Sequence, residues 1–333
     1  MHRILPLIIF VSLLFPGCWR REPSVAVHVE TPKAGLPEAP KPRVIVILER
    51  ELAYDQYTPA DSTYYGKKLH VFQWDKMREG LHLLDSLQLE DVCWAILQNK
   101  ANRNGVAPLP RKFRRNEYEN VVDSFGVEHY QSVPLFVDSV RTAPYRYGRD
   151  GSLVRVIWQR GDTVRVAPVF IGGEWLTLAK YVRILPDSVV FTHAIFADRT
   201  NQNITTVEKM GAKWLVRSMN PATTGVRKPP YMRETPTGIF VLQEKRLKMV
   251  YLADGSTTQV EGFAPYANRF CCGAYVHGVP VQDPTTLSLD FRDFSPSLGT
   301  RPRSHMCVRT ATSHAKFIFE RFPVEATAVF VIE

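Results

Sequence analysis

The spacing of apolar residues changes character along this chain, and each change marks a different kind of element. "RVIVILER" (43–50) is a nearly unbroken apolar run and predicts a buried strand. In "WDKMREGLHLLDSLQ" (74–88), Trp74, Met77, Leu81 and Leu84 recur at helical spacing with charges between them, so an amphipathic helix is expected there with its stripe in the core. From Ser152 the period falls to two. Val154, Val156 and Trp158 alternate, Gly161-Asp162 makes a turn, Val164 and Val166 follow, and Gly172-Gly173 precedes "EWLTLA" and "KYVRIL". Short alternating strands joined by glycine turns predict a small β barrel or a meander. "FTHAIFADRTNQNITTVEK" and "AKWLVRSMNPATTG" predict further strands. Thr235-Pro236-Thr237-Gly238 is a turn leading into a strand, "IFVLQEKR". "FAPYANRFCCGAYVHGVP" closes on another strand, which carries His277. The helical pattern "TSHAKFIFERF" and the strand "ATAVFVIE" complete the chain. The fold class expected is α+β, mainly β.

The first residues belong to none of these elements. Arg3 precedes an apolar run from Ile4 to Phe15, which is too short to span a bilayer and has the length of a signal-peptide core. Gly17 is small and precedes Cys18. The stretch resembles a bacterial lipoprotein signal, although Phe15 and Pro16 stand where that family carries an aliphatic and a small residue. The resemblance implies cleavage before Cys18 and acylation of its sulfur and new amino terminus. The alternative is a plain secretory signal, and both export the protein. Residues 19–42 hold Pro23, Pro32, Pro37, Pro40 and Pro42 and predict an extended tether. A periplasmic, outer-membrane-anchored lipoprotein is the expected setting.

The chain has 333 residues, 45% of them hydrophobic, which is enough for two globular units beyond the tether. Its net charge of +9 favours an acidic partner. Export excludes nucleic acid and leaves anionic lipid or a carboxylate-rich polymer. The basic run "PRKFRRNEY" (110–118) is expected to be a solvated surface. The five cysteines show no disulfide framework in their spacing. Cys93, within "VCWAIL", is expected to be a buried small hydrophobe. Cys271 and Cys272 are adjacent, and on a regular strand they would point to opposite faces. A zinc site from Cys271, Cys272, His277, His305 and Cys307 lacks the close ligand pairs such sites use.

The chemistry concentrates in "SHMCVR" (304–309). A thiol attacks a carbonyl as thiolate, and an ordinary cysteine is mostly protonated near neutral pH. An imidazole can take that proton. His305 lies two residues from Cys307, and an extended segment would turn both to one side. Backbone N–H groups of Met306 and Cys307, just ahead of the predicted helix, could hold an oxyanion in the field of the helix end. Arg309 could pair with a substrate carboxylate, and Ser304 could bond within the loop.

Four pieces in order, "TPTGIF", "APYANRF", "VHG" and "SHMCVR", resemble the L,D-transpeptidase catalytic domain of the YkuD family. The resemblance implies a β-sandwich-like domain over residues 187–333. It implies Cys307 as nucleophile, His277 as general base and acid, the Gly278 carbonyl orienting His277, and His305 in support. Tyr266 and Arg269 would line the substrate cleft. The substrate would be peptidoglycan stem peptides, with no metal or organic cofactor. Met306 replaces the family's glycine before the nucleophile. The 26 residues between His277 and Ser304 exceed the usual spacing and predict an inserted loop or lid. Residues 132–186 resemble a bacterial SH3-like domain, and residues 43–131 form an α+β region ahead of it. Two rival readings share these features: a non-catalytic peptidoglycan-binding lipoprotein, and an L,D-carboxypeptidase using the same acyl-enzyme.

Overall fold

The computed structural model describes residues 45–101 and 109–333. Cys18 and the segment 19–42 lie outside the described residues. At the centre stands a six-stranded sheet. Its spatial order is Ile47–Tyr54, Lys213–Pro221, Asn203–Met210, His193–Asp198, Thr327–Ile332 and Gly238–Val241. Alternation along His193–Asp198 serves two cores at once. Ala194 and Phe196 face one side, while Ile195 and Ala197 face the other. Helix α1 (Trp74–Gln88) covers the first side, inserting Met77, Leu81 and Leu84 against Trp214, Met219 and Phe330. Leu81 is fully buried. Leu81→Ala is expected to cost about 2–5 kcal/mol, read as a lower urea midpoint.

On the other side lie helix α2 (Thr312–Arg321) and a four-stranded sheet ordered Glu244–Leu252, Val260–Cys271, Ala274–His277 and Val308–Arg309. Ile318 and Phe322 pack there with Phe270, Val276 and Val308. A third sheet runs Trp175–Leu178, Thr163–Pro168, Leu153–Arg160, Cys93–Leu97 and Val182–Ile184. A hairpin of Ser132–Leu135 and Arg146–Arg149 closes over it, joined through Phe136 and Leu176. Val133, Leu135, Val154, Val164 and Val166 fill the space between.

The structure departs from the expectations in several places. The "RVIVILER" strand starts at Ile47, sits at the edge of the central sheet, and leaves Ile47 41% exposed; it is not buried on both sides. It pairs in parallel with Lys213–Pro221, a partner about 160 residues away that no local period could reveal. "IFVLQEKR" is not one strand: the chain leaves the central sheet after Val241 and enters the four-stranded sheet at Glu244. The divisions drawn at 131 and 186 do not coincide with the sheets, because Cys93–Leu97 is an inner strand of the third sheet and Ile47–Tyr54 belongs to the central one. Cys93 is half-buried rather than buried.

Candidate active site

The loop 304–307 is held from several sides. The Ser304 N–H donates to the Thr224 carbonyl at 3.0 Å, and the Ser304 carbonyl accepts from the Val226 N–H at 3.0 Å. The His305 carbonyl accepts from the Arg233 N–H at 2.7 Å. The Ser304 hydroxyl donates to the Cys307 carbonyl. Thr235, in the "TPTG" turn, donates its hydroxyl to the Met306 carbonyl at 2.7 Å and accepts from the Gly225 N–H at 2.8 Å. In the sequence that turn stands only as a motif; in the structure its threonine ties the turn to the loop beside Cys307. Met306 is not among the non-glycine residues with positive φ, so replacing glycine leaves no strained backbone there. Its side chain packs against the core beside Cys272.

Val308 and Arg309 then run parallel to Val276 and His277, with His277 opposite Arg309. This pairing sets Cys307, Arg309 and His277 in the wall of one cavity of about 680 Å³. Met249–Leu252 form a second wall. The insertion after His277 supplies a third through Val281, Gln282, Phe291, Ser297 and Leu298. It is braced from outside by the Tyr57 hydroxyl, which donates to Asp293 at 2.7 Å.

His277 is buried, and its Nδ1 lies 2.6 Å from the Gly278 carbonyl. A carbonyl can only accept, so Nδ1 carries the proton and Nε2 keeps a lone pair. Gly278 is required by space, since a Cβ there would sit 2.8 Å from Thr312 Oγ1. Burial, with Arg309 adding to it, holds the imidazole down to about 3 against the opposing Gly278 bond. The Cys307 sulfur lies 3.8 Å from the Gly273 carbonyl. Burial pushes its thiol up to about 11, opposed by the Tyr275 backbone and Arg309. Thiol and imidazole therefore rest neutral near pH 7. Among the described residues Arg309 forms no ion pair, and its Nε is buried without an acceptor.

His305 also lines the cavity, and its Nε2 meets Asp254 at 2.9 Å. Two of the predicted residues lie elsewhere. Arg269 is buried, binding Asp150 at 2.7 Å and Glu244 at 3.1 Å, and does not line the cavity. Tyr266 has φ 49° and packs its ring on Phe319, also away from the cavity. The helix-end field is displaced as well. Helix α2 starts at Thr312, and its first N–H groups are taken by Asp293 at 2.8 and 2.7 Å. Among the described residues no cluster of three metal-ligating side chains occurs.

A second buried imidazole, His314, is also held at about 3 by burial and bonds Ser218 and Thr310. Both His277 and His314 titrate near 6.5 once unfolded. Between about 3 and 6.5 the unfolded chain binds protons that the folded one does not, so stability rises with pH across that window. Denaturant midpoints are expected to fall steadily as pH is lowered from 7 to 4. Replacing His314 with Gln should flatten part of that slope.

Residues 192–331 match the family model described as YkuD, L,D-transpeptidase catalytic domain. No curated protein matches the chain. Among solved structures, an L,D-transpeptidase from Mycobacterium smegmatis is similar at 18% identity, over 53% of this chain and 69% of that one, with a TM-score of 0.32. An L,D-transpeptidase of Enterococcus faecium is similar at 20% identity, over 43% of this chain and 50% of its own, with a TM-score of 0.30. A fused Zn-dependent amidase/peptidase/peptidoglycan-binding protein of Clostridium acetobutylicum is similar at 19% identity, over 42% and 51%, with a TM-score of 0.30, so the chain spans about half the length of that relative. By the family-model match, residues 192–331 are an L,D-transpeptidase catalytic domain of the YkuD family.

Proposed function

We propose that this protein is a peptidoglycan L,D-transpeptidase with Cys307 as nucleophile. The observation that carries the reading is the shared wall: Cys307 and His277 line one open cavity, and the Gly278 bond leaves His277 Nε2 able to accept a proton. The substrate carbonyl is the one between the L-centre of the third stem residue and the D-residue at position four. Because both groups start neutral, the thiol proton passes to Nε2 as sulfur attacks. The Met306 and Cys307 N–H groups hold the oxyanion. As the tetrahedral state collapses, the imidazolium returns its proton to the departing D-residue amine. An amine from a neighbouring stem then attacks the thioester, its proton passes to His277, and the thiol re-forms. The product is a 3→3 cross-link or an attached protein. Arg309, which forms no ion pair among the described residues, is suited to bind a stem carboxylate. A basic protein fits an acidic wall polymer, and acyl chains at Cys18 would hold it at the outer membrane.

The test is muropeptide analysis of a strain lacking related enzymes, complemented with wild type or Cys307→Ala. Loss of 3→3 dimers and persistence of tetrapeptides in the variant would support the reading. Identical profiles would overturn it. Tripeptides without dimers would assign the same acyl-enzyme to hydrolysis.

A further inference from the structure

The adjacent cysteines at 271 and 272 have no part in the chemistry above, yet their geometry is unusual. On a regular strand their side chains would diverge to opposite faces. Instead Cys272 has φ +46°, in the left-handed region that a non-glycine residue occupies only at a cost. That turn brings the two sulfurs to 3.4 Å. It is the corner of the hairpin between Val260–Cys271 and Ala274–His277, where Cys271 pairs with Ala274. The corner is held by the Cys272 N–H, which donates to Asp150 at 3.1 Å. Cys271 is fully buried, Cys272 is 5% exposed, and Gly273 beside it is exposed in the cavity wall. Of the two, Cys272 is the more accessible, and its sulfur lies 3.6 Å from the Gln131 carbonyl.

We propose that Cys271 and Cys272 are a reversible two-electron redox pair, oxidised by hydrogen peroxide to a disulfide between neighbours. The Cys272 sulfur attacks the peroxide, an S–O bond forms as the O–O bond breaks, and one water leaves. The Cys271 sulfur then displaces the sulfenic oxygen as a second water, forming the S–S bond. The sulfurs lose two electrons and the peroxide gains them. The bond of about 2.05 Å would close a small ring across one peptide, and the strain of that ring makes it readily reducible. The inference is independent of the transpeptidase reading, since it concerns sulfurs that reading does not use.

Trypsin gives one peptide, Phe270–Arg292, that holds both cysteines, and another, Ser304–Arg309, that holds Cys307. The full chain is treated with hydrogen peroxide, denatured in N-ethylmaleimide, digested and weighed. The expected result is Phe270–Arg292 lighter by two hydrogens and unalkylated, returning to the doubly alkylated form after dithiothreitol. Cys271→Ser and Cys272→Ser should each abolish the lighter species, and Cys93→Ser should retain it. Doubly alkylated Phe270–Arg292 under conditions that oxidise Cys307 would overturn the proposal. So would oxygen added without loss of hydrogen, or a bond from either cysteine to another peptide. The wild-type peptide masses decide the matter even if a serine variant does not fold.

Discussion

Replacing His277 with Gln is expected to slow acylation of Cys307 by a carbapenem by about 10²–10⁴-fold. The size follows from the resting state. With the thiol pushed up to about 11, very little thiolate is present near neutral pH, so a base must remove the proton during attack. His277 is fitted to do so, with Nδ1 fixed by Gly278 and the ring uncharged down to about 3. The wild-type rate should therefore show no step at the ordinary imidazole value and should stay nearly level from pH 5 to 10, because thiol and uncharged imidazole both persist across that range. In the Gln variant the residual rate should follow thiolate alone. Stopped-flow measurement between pH 5 and 10 distinguishes the two, with circular dichroism as a check on folding. His305→Ala should stay within a few-fold of wild type, because that ring is bound to Asp254 at the cavity mouth. Equal rates for wild type and the His277 variant would remove the base from the mechanism.

The second large effect is expected far from the sulfur. Asp150, fully buried, accepts from the Asn99 N–H at 2.7 Å, from Arg269 Nη1 at 2.7 Å and from the Cys272 N–H at 3.1 Å. Asp150→Ala would leave a buried guanidinium with Glu244 as its remaining carboxylate, beside the Gln243 amide oxygen, and two backbone donors unsatisfied. A loss of about 3–5 kcal/mol is expected, measured by chemical denaturation. Asp150→Asn keeps the shape and one acceptor oxygen and should cost less. Replacing Asp150 and Arg269 together with apolar residues of similar volume should recover much of the loss, since no unpaired charge remains. A neutral result for the alanine variant would mean that water reaches this ion pair.

What was legible in the sequence follows from what local patterns encode. Helix α1 occupies the span its apolar stripe indicated, because a period of 3.6 with charges opposite leaves one geometry. A shared cavity for Cys307 and His277 was legible because one stands just ahead of a strand and the other at a strand's end, each in a short motif. Side-chain direction was not. Arg269 and Tyr266 lie in a matching segment, but Arg269 turns to an aspartate 119 residues away in sequence, and the positive φ at Tyr266 breaks the alternation that would have placed its ring. The gap between Cys307 and helix α2 was hidden because a two-residue strand looks like the helix's approach. Nor could the sequence show two neighbouring sulfurs in contact, because that rests on one backbone angle.

The edge strand Ile47–Tyr54 has a consequence for anyone isolating the catalytic part. A fragment cut to residues 192–331 would lose both that strand and helix α1. Lys213–Pro221 would then offer an open row of amides and carbonyls, and Trp214, Met219 and Phe330 would face solvent. Such a piece should aggregate on expression, so truncations of this protein need to begin ahead of residue 47.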